Sequence, residues 1–128
     1  MPYVHIVIGL ALVQFLFFGF LVGKARGTYN VPAPATTGNE MFERYFRVQM
    51  NTLELLVLFL PAILIFAFYM SPVVAAGLGV VYLIGRQIYL YSYVKEPKSR
   101  SLGYALSMLP ILVLVLGAIF GAIRAAVR

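Results

Sequence analysis

Cysteine is absent from this 128-residue chain, which removes disulfides, thiolate metal sites and any cysteine nucleophile. Histidine occurs once, as His5, and the carboxylate side chains number four. So thin a supply of ligands argues against a metal site. Charged residues of both signs make up only 11% of the chain. Set against that scarcity, 62% of the residues are hydrophobic and the mean hydropathy is +0.95. A soluble domain of this length has too little interior to hide that much apolar surface, so lipid is the expected solvent. Net charge is +6, but the cations are not spread like a nucleic-acid footprint. They stand at the ends of apolar runs, where they read as membrane anchors and topology signals.

Four spans follow from the punctuation. The uncharged run from Pro2 to Gly23 has no basic segment ahead of it, and it reads as a first transmembrane helix over about residues 3–23, not as a cleaved signal. Lys24 to about Asn39 is expected to form a loop, because the prolines of Val31-Pro32-Ala33-Pro34-Ala35-Thr36-Thr37-Gly38 prevent a continuous helix. Gly38-Asn39 offers a start signal for a second helix from about Glu40 to Tyr69, with Pro61 as an expected kink. From Val48 to Gly85 the only charge is Glu54, a run too long for one crossing, and Ser71-Pro72 is its natural break. A third span over about 72–94 ends at Lys95-Glu96-Pro97-Lys98-Ser99-Arg100-Ser101. A fourth runs over about 102–123, with Pro110 as a second expected kink. The expected fold class is all-α: an integral-membrane four-helix bundle forming one domain over residues 1–128.

Counting cations on each side gives an orientation. Lys24, Arg26, Arg44 and Arg47 surround the first loop, and Lys95, Lys98 and Arg100 the third. The opposite side has only Arg124 and Arg128. The positive-inside rule puts both long loops in the cytoplasm and both termini across the membrane. The small-residue pairs Ala75/Gly79 and Gly117/Gly121 suggest close helix approaches, within or between subunits. Gln14, alone in the first span, suits a helix–helix hydrogen bond.

Two polar stripes interrupt the apolar surface. On a helix advancing about 100° per residue, Arg44, Arg47, Asn51 and Glu54 fall within roughly an 80° arc. Ionisable groups at that depth cost several kcal/mol unless paired or solvated, which makes them functional candidates. On the third span Tyr82, Arg86, Tyr89 and Tyr93 share about a 60° arc, and Arg100 follows beyond Pro97. Taken alone, the arginines also suit snorkelling anchors, and the tyrosines an interfacial belt. Facing each other, the stripes would make a cationic pocket with tyrosine hydroxyls, one amide and one carboxylate. Its ligand should be small and net anionic, with one cation to meet Glu54. Glutathione has that makeup, as do other zwitterionic anions.

The segment Phe42-Glu43-Arg44-Tyr45-Phe46-Arg47-Val48-Gln49-Met50-Asn51-Thr52-Leu53-Glu54 resembles the signature of the membrane-associated proteins in eicosanoid and glutathione metabolism, the MAPEG family. Tyr29-Asn30-Val31-Pro32-Ala33-Pro34 with Gly38, and Gly85-Arg86-Gln87-Ile88-Tyr89 through Tyr93, continue the likeness over nearly the whole chain. It is strongest to the branch of microsomal glutathione transferases and leukotriene-C synthases. That resemblance implies a homotrimer binding glutathione as co-substrate between neighbouring subunits, with no metal. By position, Arg47, Asn51 and Glu54 would hold the peptide, Glu54 on its amino group. Arg26, Gln49, Tyr89 and Tyr93 would add contacts, Arg86 would contact or brace the site, and Arg100 would be the catalytic residue stabilising the thiolate. Two departures stand out: Gly27 replaces a second consecutive arginine of the leukotriene synthases, and Leu55 replaces a tyrosine. Both point away from leukotriene-specific chemistry and toward general conjugation.

The function implied is a membrane-bound glutathione transferase whose thiolate attacks lipophilic electrophiles arriving from the bilayer. Reduction of lipid hydroperoxides, known in the family, stays open. Two readings from other classes compete. A non-catalytic lipid-binding scaffold of the lipoxygenase-activating type is disfavoured by the presence of Arg47, Asn51, Glu54, Tyr93 and Arg100. A small multidrug exporter would carry its membrane carboxylate in the first span, where this chain has none.

Overall fold

The computed structural model describes residues 1–128 as four long helices: α1 (Pro2–Tyr29), α2 (Glu40–Tyr69), α3 (Pro72–Lys95) and α4 (Ser101–Ala126). A single 3-10 turn, Pro97–Ser99, precedes α4. The shortest, α3, has 24 residues, about 36 Å at 1.5 Å per residue, enough to cross a hydrocarbon core of about 30 Å. All four are apolar enough to span. The protein is an integral, multi-pass membrane protein.

Local chemistry sets the helix ends. Asn39 lies in extended backbone and its side chain accepts from Phe42 N at 3.1 Å. Ser71 does the same for Val74 N at 3.2 Å, with Pro72 at the first helical position, where its missing N–H costs nothing. Glu40 and Glu43 fall in the first turn of α2, where the helix dipole favours negative charge. Both Pro61 and Pro110 lie inside continuous helices.

The first helix is longer than its apolar run. It continues through Lys24–Tyr29, residues expected in the loop, and stops at Asn30 in the left-handed region (φ 56°, ψ 51°). Nothing between Gly23 and Asn30 breaks a helix; asparagine tolerates the left-handed turn and Pro32 prevents resumption.

Alternating direction brings the C-terminal ends of α1 and α3 together with the N-terminal ends of α2 and α4. The main core joins all four helices, with Phe59 and Tyr82 stacked at 4.1 Å between ring centroids. At two glycines α3 and α4 meet backbone to backbone. A β-carbon on Gly85 would lie 2.6 Å from the Leu106 carbonyl carbon, and one on Gly103 would lie 2.5 Å from Tyr89 N. Only glycine fits at either position. The anticipated small residues also serve contacts within the chain: Gly79 meets Val7 and Ile63, Gly117 meets Phe66, and Gly121 meets Tyr69. Gln14 does bond across helices, its Nε2 donating to Leu83 O at 2.9 Å and Gln87 Oε1 at 3.2 Å on α3.

Candidate functional site

At the end shared by the α2 and α4 N-termini, three helices each contribute two residues one turn apart to a single cavity. Arg47 and Asn51 come from α2, Tyr89 and Tyr93 from α3, and Arg100 and Tyr104 from the start of α4. The cavity holds about 290 Å³. Tyr89 is stacked on Tyr93 at 5.5 Å and lies 6.4 Å from Tyr104. Arg100 precedes the first turn of α4, where unpaired backbone N–H groups add positive potential to its own charge. Its Nη1 donates to Pro97 O at 3.1 Å, folding the side chain back over the 3-10 turn.

Behind the cavity lies Arg86, fully buried. Its Nε donates to Ser107 Oγ at 2.8 Å, and its Nη1 donates to Asn51 Oδ1 at 2.7 Å and Thr52 Oγ1 at 3.2 Å. The guanidinium lies 4.3 Å from the Tyr89 ring centroid, a cation–π contact. A single side chain on α3 therefore ties down α2, α4 and a cavity tyrosine. Ser107 and Thr52 are held in turn, donating to the carbonyls of Gly103 at 2.7 Å and Val48 at 2.8 Å. With its oxygen committed to Arg86, the Asn51 amide has its two N–H donors left for the cavity.

No carboxylate lines this cavity. Two arginines line it and a third lies behind, with an amide donor and tyrosine hydroxyls alongside. Such a lining suits an anion with more than one acceptor group, since the guanidinium fork matches a carboxylate in two parallel bonds.

Arg47, Asn51, Tyr89, Tyr93 and Arg100, all anticipated from the sequence, meet in this one chain, and Arg86 braces them from below. Three others lie elsewhere. Arg26 holds the proline loop, donating from Nη1 to Val31 O at 3.3 Å and Ala35 O at 2.7 Å and lying 4.8 Å from the Phe42 ring centroid. Gln49 faces α1, where a β-carbon on Gly19 would lie 3.1 Å from its Nε2. Glu54 is exposed on the outer face of α2, unpaired within the chain. Arg44 and Tyr82, on the anticipated stripes, point away from the cavity. Arg44 donates to the α3 carbonyls of Val94 at 2.8 Å and Lys95 at 3.2 Å and pairs with Glu40 at 2.7 Å, and Tyr82 is buried against Phe59. Leu55 is packed in the core.

Tyr104, Thr52 and Ser107 belong to the site without standing among the residues expected from the sequence. A four-residue step from Arg100 marks Tyr104 as its neighbour on α4. Nothing local marks the two hydroxyls as partners of Arg86.

The sequence profile of the MAPEG family matches residues 4–120. The chain belongs to this family. Among its relatives is a protein of Synechocystis sp., described as uncharacterized, 46% identical over 114 residues, covering 89% of this chain and 83% of that one. Microsomal glutathione S-transferase 2 of Homo sapiens is 39% identical over 99 residues, 77% of this chain and 67% of its own length. Leukotriene C4 synthase of Cavia porcellus is 36% identical over 84 residues, 66% of this chain and 56% of its own. Membership of the family agrees with the four-helix membrane bundle.

Proposed function

We propose that this chain is a membrane-bound glutathione transferase, in which the cavity between α2, α3 and α4 binds glutathione and activates its thiol. The observation that carries the reading is the cavity's lining, where Arg47, Asn51, Tyr93 and Arg100 converge with no carboxylate among them. Relatives named for glutathione transfer and leukotriene C4 synthesis support it.

Arg47 suits a glutathione carboxylate, and the Asn51 amide a carboxylate or peptide carbonyl. Arg100, permanently charged and set at a helix N-terminus, stabilises the thiolate over the thiol. The thiol proton leaves to water, the sulfur forms a bond to the electrophilic carbon, and the leaving group departs with its electron pair. Lipid hydroperoxides are a second electrophile class for the same thiolate. Sulfur attacks the peroxide oxygen, an alcohol leaves, and a second glutathione converts the sulfenic acid to disulfide and water.

Arg26, Gln49 and Glu54 stay outside the single-chain cavity, and this supports a site completed by neighbouring copies in a homotrimer. Glu54 lies three residues beyond Asn51 on the same helical stripe. An unpaired carboxylate at that depth is costly against lipid, so the reading gives it the glutathione ammonium as partner. The positive-inside count supports a cytoplasmic opening for the cavity.

The test is titration of the detergent-purified protein with glutathione, following thiolate absorbance and heat. An aryl-halide conjugation assay and a lipid-hydroperoxide assay run alongside. Saturable binding with thiolate formation is expected. Absence of both glutathione binding and turnover would refute the reading.

A further inference from the structure

A second groove opens at the same membrane end, on the opposite side of α3. Its floor is Phe17 and Leu21 of α1 with Leu90 and Val94 of α3, and Arg44 and Lys95 stand at its rim. It encloses about 390 Å³ and shares no lining residue with the cavity of Arg47 and Arg100. The groove is longer than that volume suggests. Phe17 also lines a further cavity reaching down to Leu10 and Leu83, and Leu21 and Tyr45 line one reaching up to Lys24. From Lys95 to Leu83 along α3 is about 18 Å, close to one leaflet of a hydrocarbon core about 30 Å thick. Apart from Gln14 and Gln87, the seam between α1 and α3 is thus apolar over roughly an acyl chain's depth and cationic at the top.

The charge at the top is unbalanced. Lys24, Arg44 and Lys95 surround the mouth, and the single ion pair is that of Arg44 with Glu40, whose side chain is 81% exposed. Arg44 Nε is buried without a partner in the chain. Three lining cations, one of them paired with Glu40, and no lining carboxylate favour an anionic headgroup over a zwitterionic one. Of the amides below, Gln87 Nε2 donates to Tyr91 Oη at 3.2 Å and Gln14 Nε2 donates to Leu83 O and Gln87 Oε1, while Gln14 Oε1 is buried without a partner.

We propose that the seam between α1 and α3 binds an anionic phospholipid, its headgroup on Lys24, Arg44 and Lys95 and one acyl chain along Phe17, Leu21 and Leu90. The lipid becomes a third wall for α1, which packs only on α2 and α3 to any extent. Its occupancy is independent of glutathione.

The chain has no tryptophan, so Phe17→Trp installs a single fluorophore in the groove. The full-length variant is reconstituted in bilayers containing brominated phosphatidylglycerol or brominated phosphatidylcholine, and quenching is read at equal mole fraction. The expected result is a severalfold preference for phosphatidylglycerol, reduced about fivefold by adding Lys95→Gln and left intact by Lys98→Gln, a cation outside the groove. Equal quenching by the two lipids would overturn the proposal, leaving acyl contact without headgroup recognition. So would equal losses from Lys95→Gln and Lys98→Gln, which mark diffuse surface charge. A reporter shielded from both lipids would assign the groove to a second copy of the chain and overturn it as well.

Discussion

Replacing Arg86 by methionine separates what this buried cation does for the fold from what it does for the cavity. The substitution removes two short charge-assisted hydrogen bonds, to Ser107 and Asn51, and a longer one to Thr52. At about 1.5–3 kcal/mol for each short bond, the direct loss is about 3–6 kcal/mol. Opposing it is the desolvation of a guanidinium with no carboxylate partner and an unpaired Nη2, worth several kcal/mol that the wild type must overcome. Ser107 and Thr52 keep donating to the carbonyls of Gly103 and Val48, so neither hydroxyl becomes an orphan donor. Asn51 is only partly buried and regains water. The terms nearly cancel, and unfolding free energy in detergent should change by less than about 2 kcal/mol. Asn51, freed of its tether, rotates away from its cavity orientation, and glutathione affinity should fall about tenfold, or about 1.4 kcal/mol. Titration calorimetry against a denaturation series measures both. A variant destabilised by more than 4 kcal/mol that still binds glutathione as the wild type does would refute the argument, because Arg86 would then brace the fold and not the site (~4 kcal/mol being the scale of a broken buried ion pair).

Arg100→Ala should lower turnover by about tenfold to a hundredfold, about 1.4–2.7 kcal/mol, while glutathione affinity changes less. Losing the cation raises the bound thiol's pKa, so the thiolate fraction at fixed pH falls and turnover recovers as pH rises; a wild-type pH–rate profile would return Arg100 to an anchoring role. Glu54→Gln should keep the assembly but weaken glutathione binding by about 1.5–3 kcal/mol, and unchanged affinity by calorimetry would remove Glu54 from the site. Gly103→Ala should destabilise the bundle by about 1–3 kcal/mol, since the added methyl meets the Tyr89 backbone and not a side chain that can swing aside; thermal unfolding unchanged from wild type would contradict the close packing of α3 on α4.

The sequence made the spans legible because their ends are written in local chemistry. Asn39, Ser71-Pro72 and the Pro97 break act within a few residues of themselves, and helical spacing alone aligns Arg47 with Asn51 and Tyr89 with Tyr93. What stayed hidden depends on neighbours far along the chain. Arg44 shares the stripe of Arg47, yet one turn nearer the helix start it comes level with the last carbonyls of α3 and is drawn to them. Thr52 and Ser107 look like ordinary helix hydroxyls until α3 places Arg86 between them. The extra turn and a half of α1 escaped because falling hydropathy marks where the apolar run ends, not where the backbone stops coiling. Arg26, Gln49 and Glu54 line no part of the cavity because their surroundings are set by the proline loop, by α1 and by the exposed face of α2, none of which helical spacing reveals.

The two glycine contacts between α3 and α4 decide which part of the cavity is able to move. Backbone lies against backbone at Gly85 and Gly103, so these helices have no side-chain cushion to slide on and behave as one lever. Tyr89, Tyr93, Arg100 and Tyr104 ride on that lever with nearly fixed spacing. The α2 wall is joined to it near the cavity by hydrogen bonds from Arg86 to Asn51 and Thr52, which break and re-form far more readily than packed backbone separates. Breathing of the cavity therefore falls to α2. A ligand that accepts from the free N–H donors of Asn51 leaves its oxygen on Arg86, so filling the cavity adds a second tie between α2 and the lever.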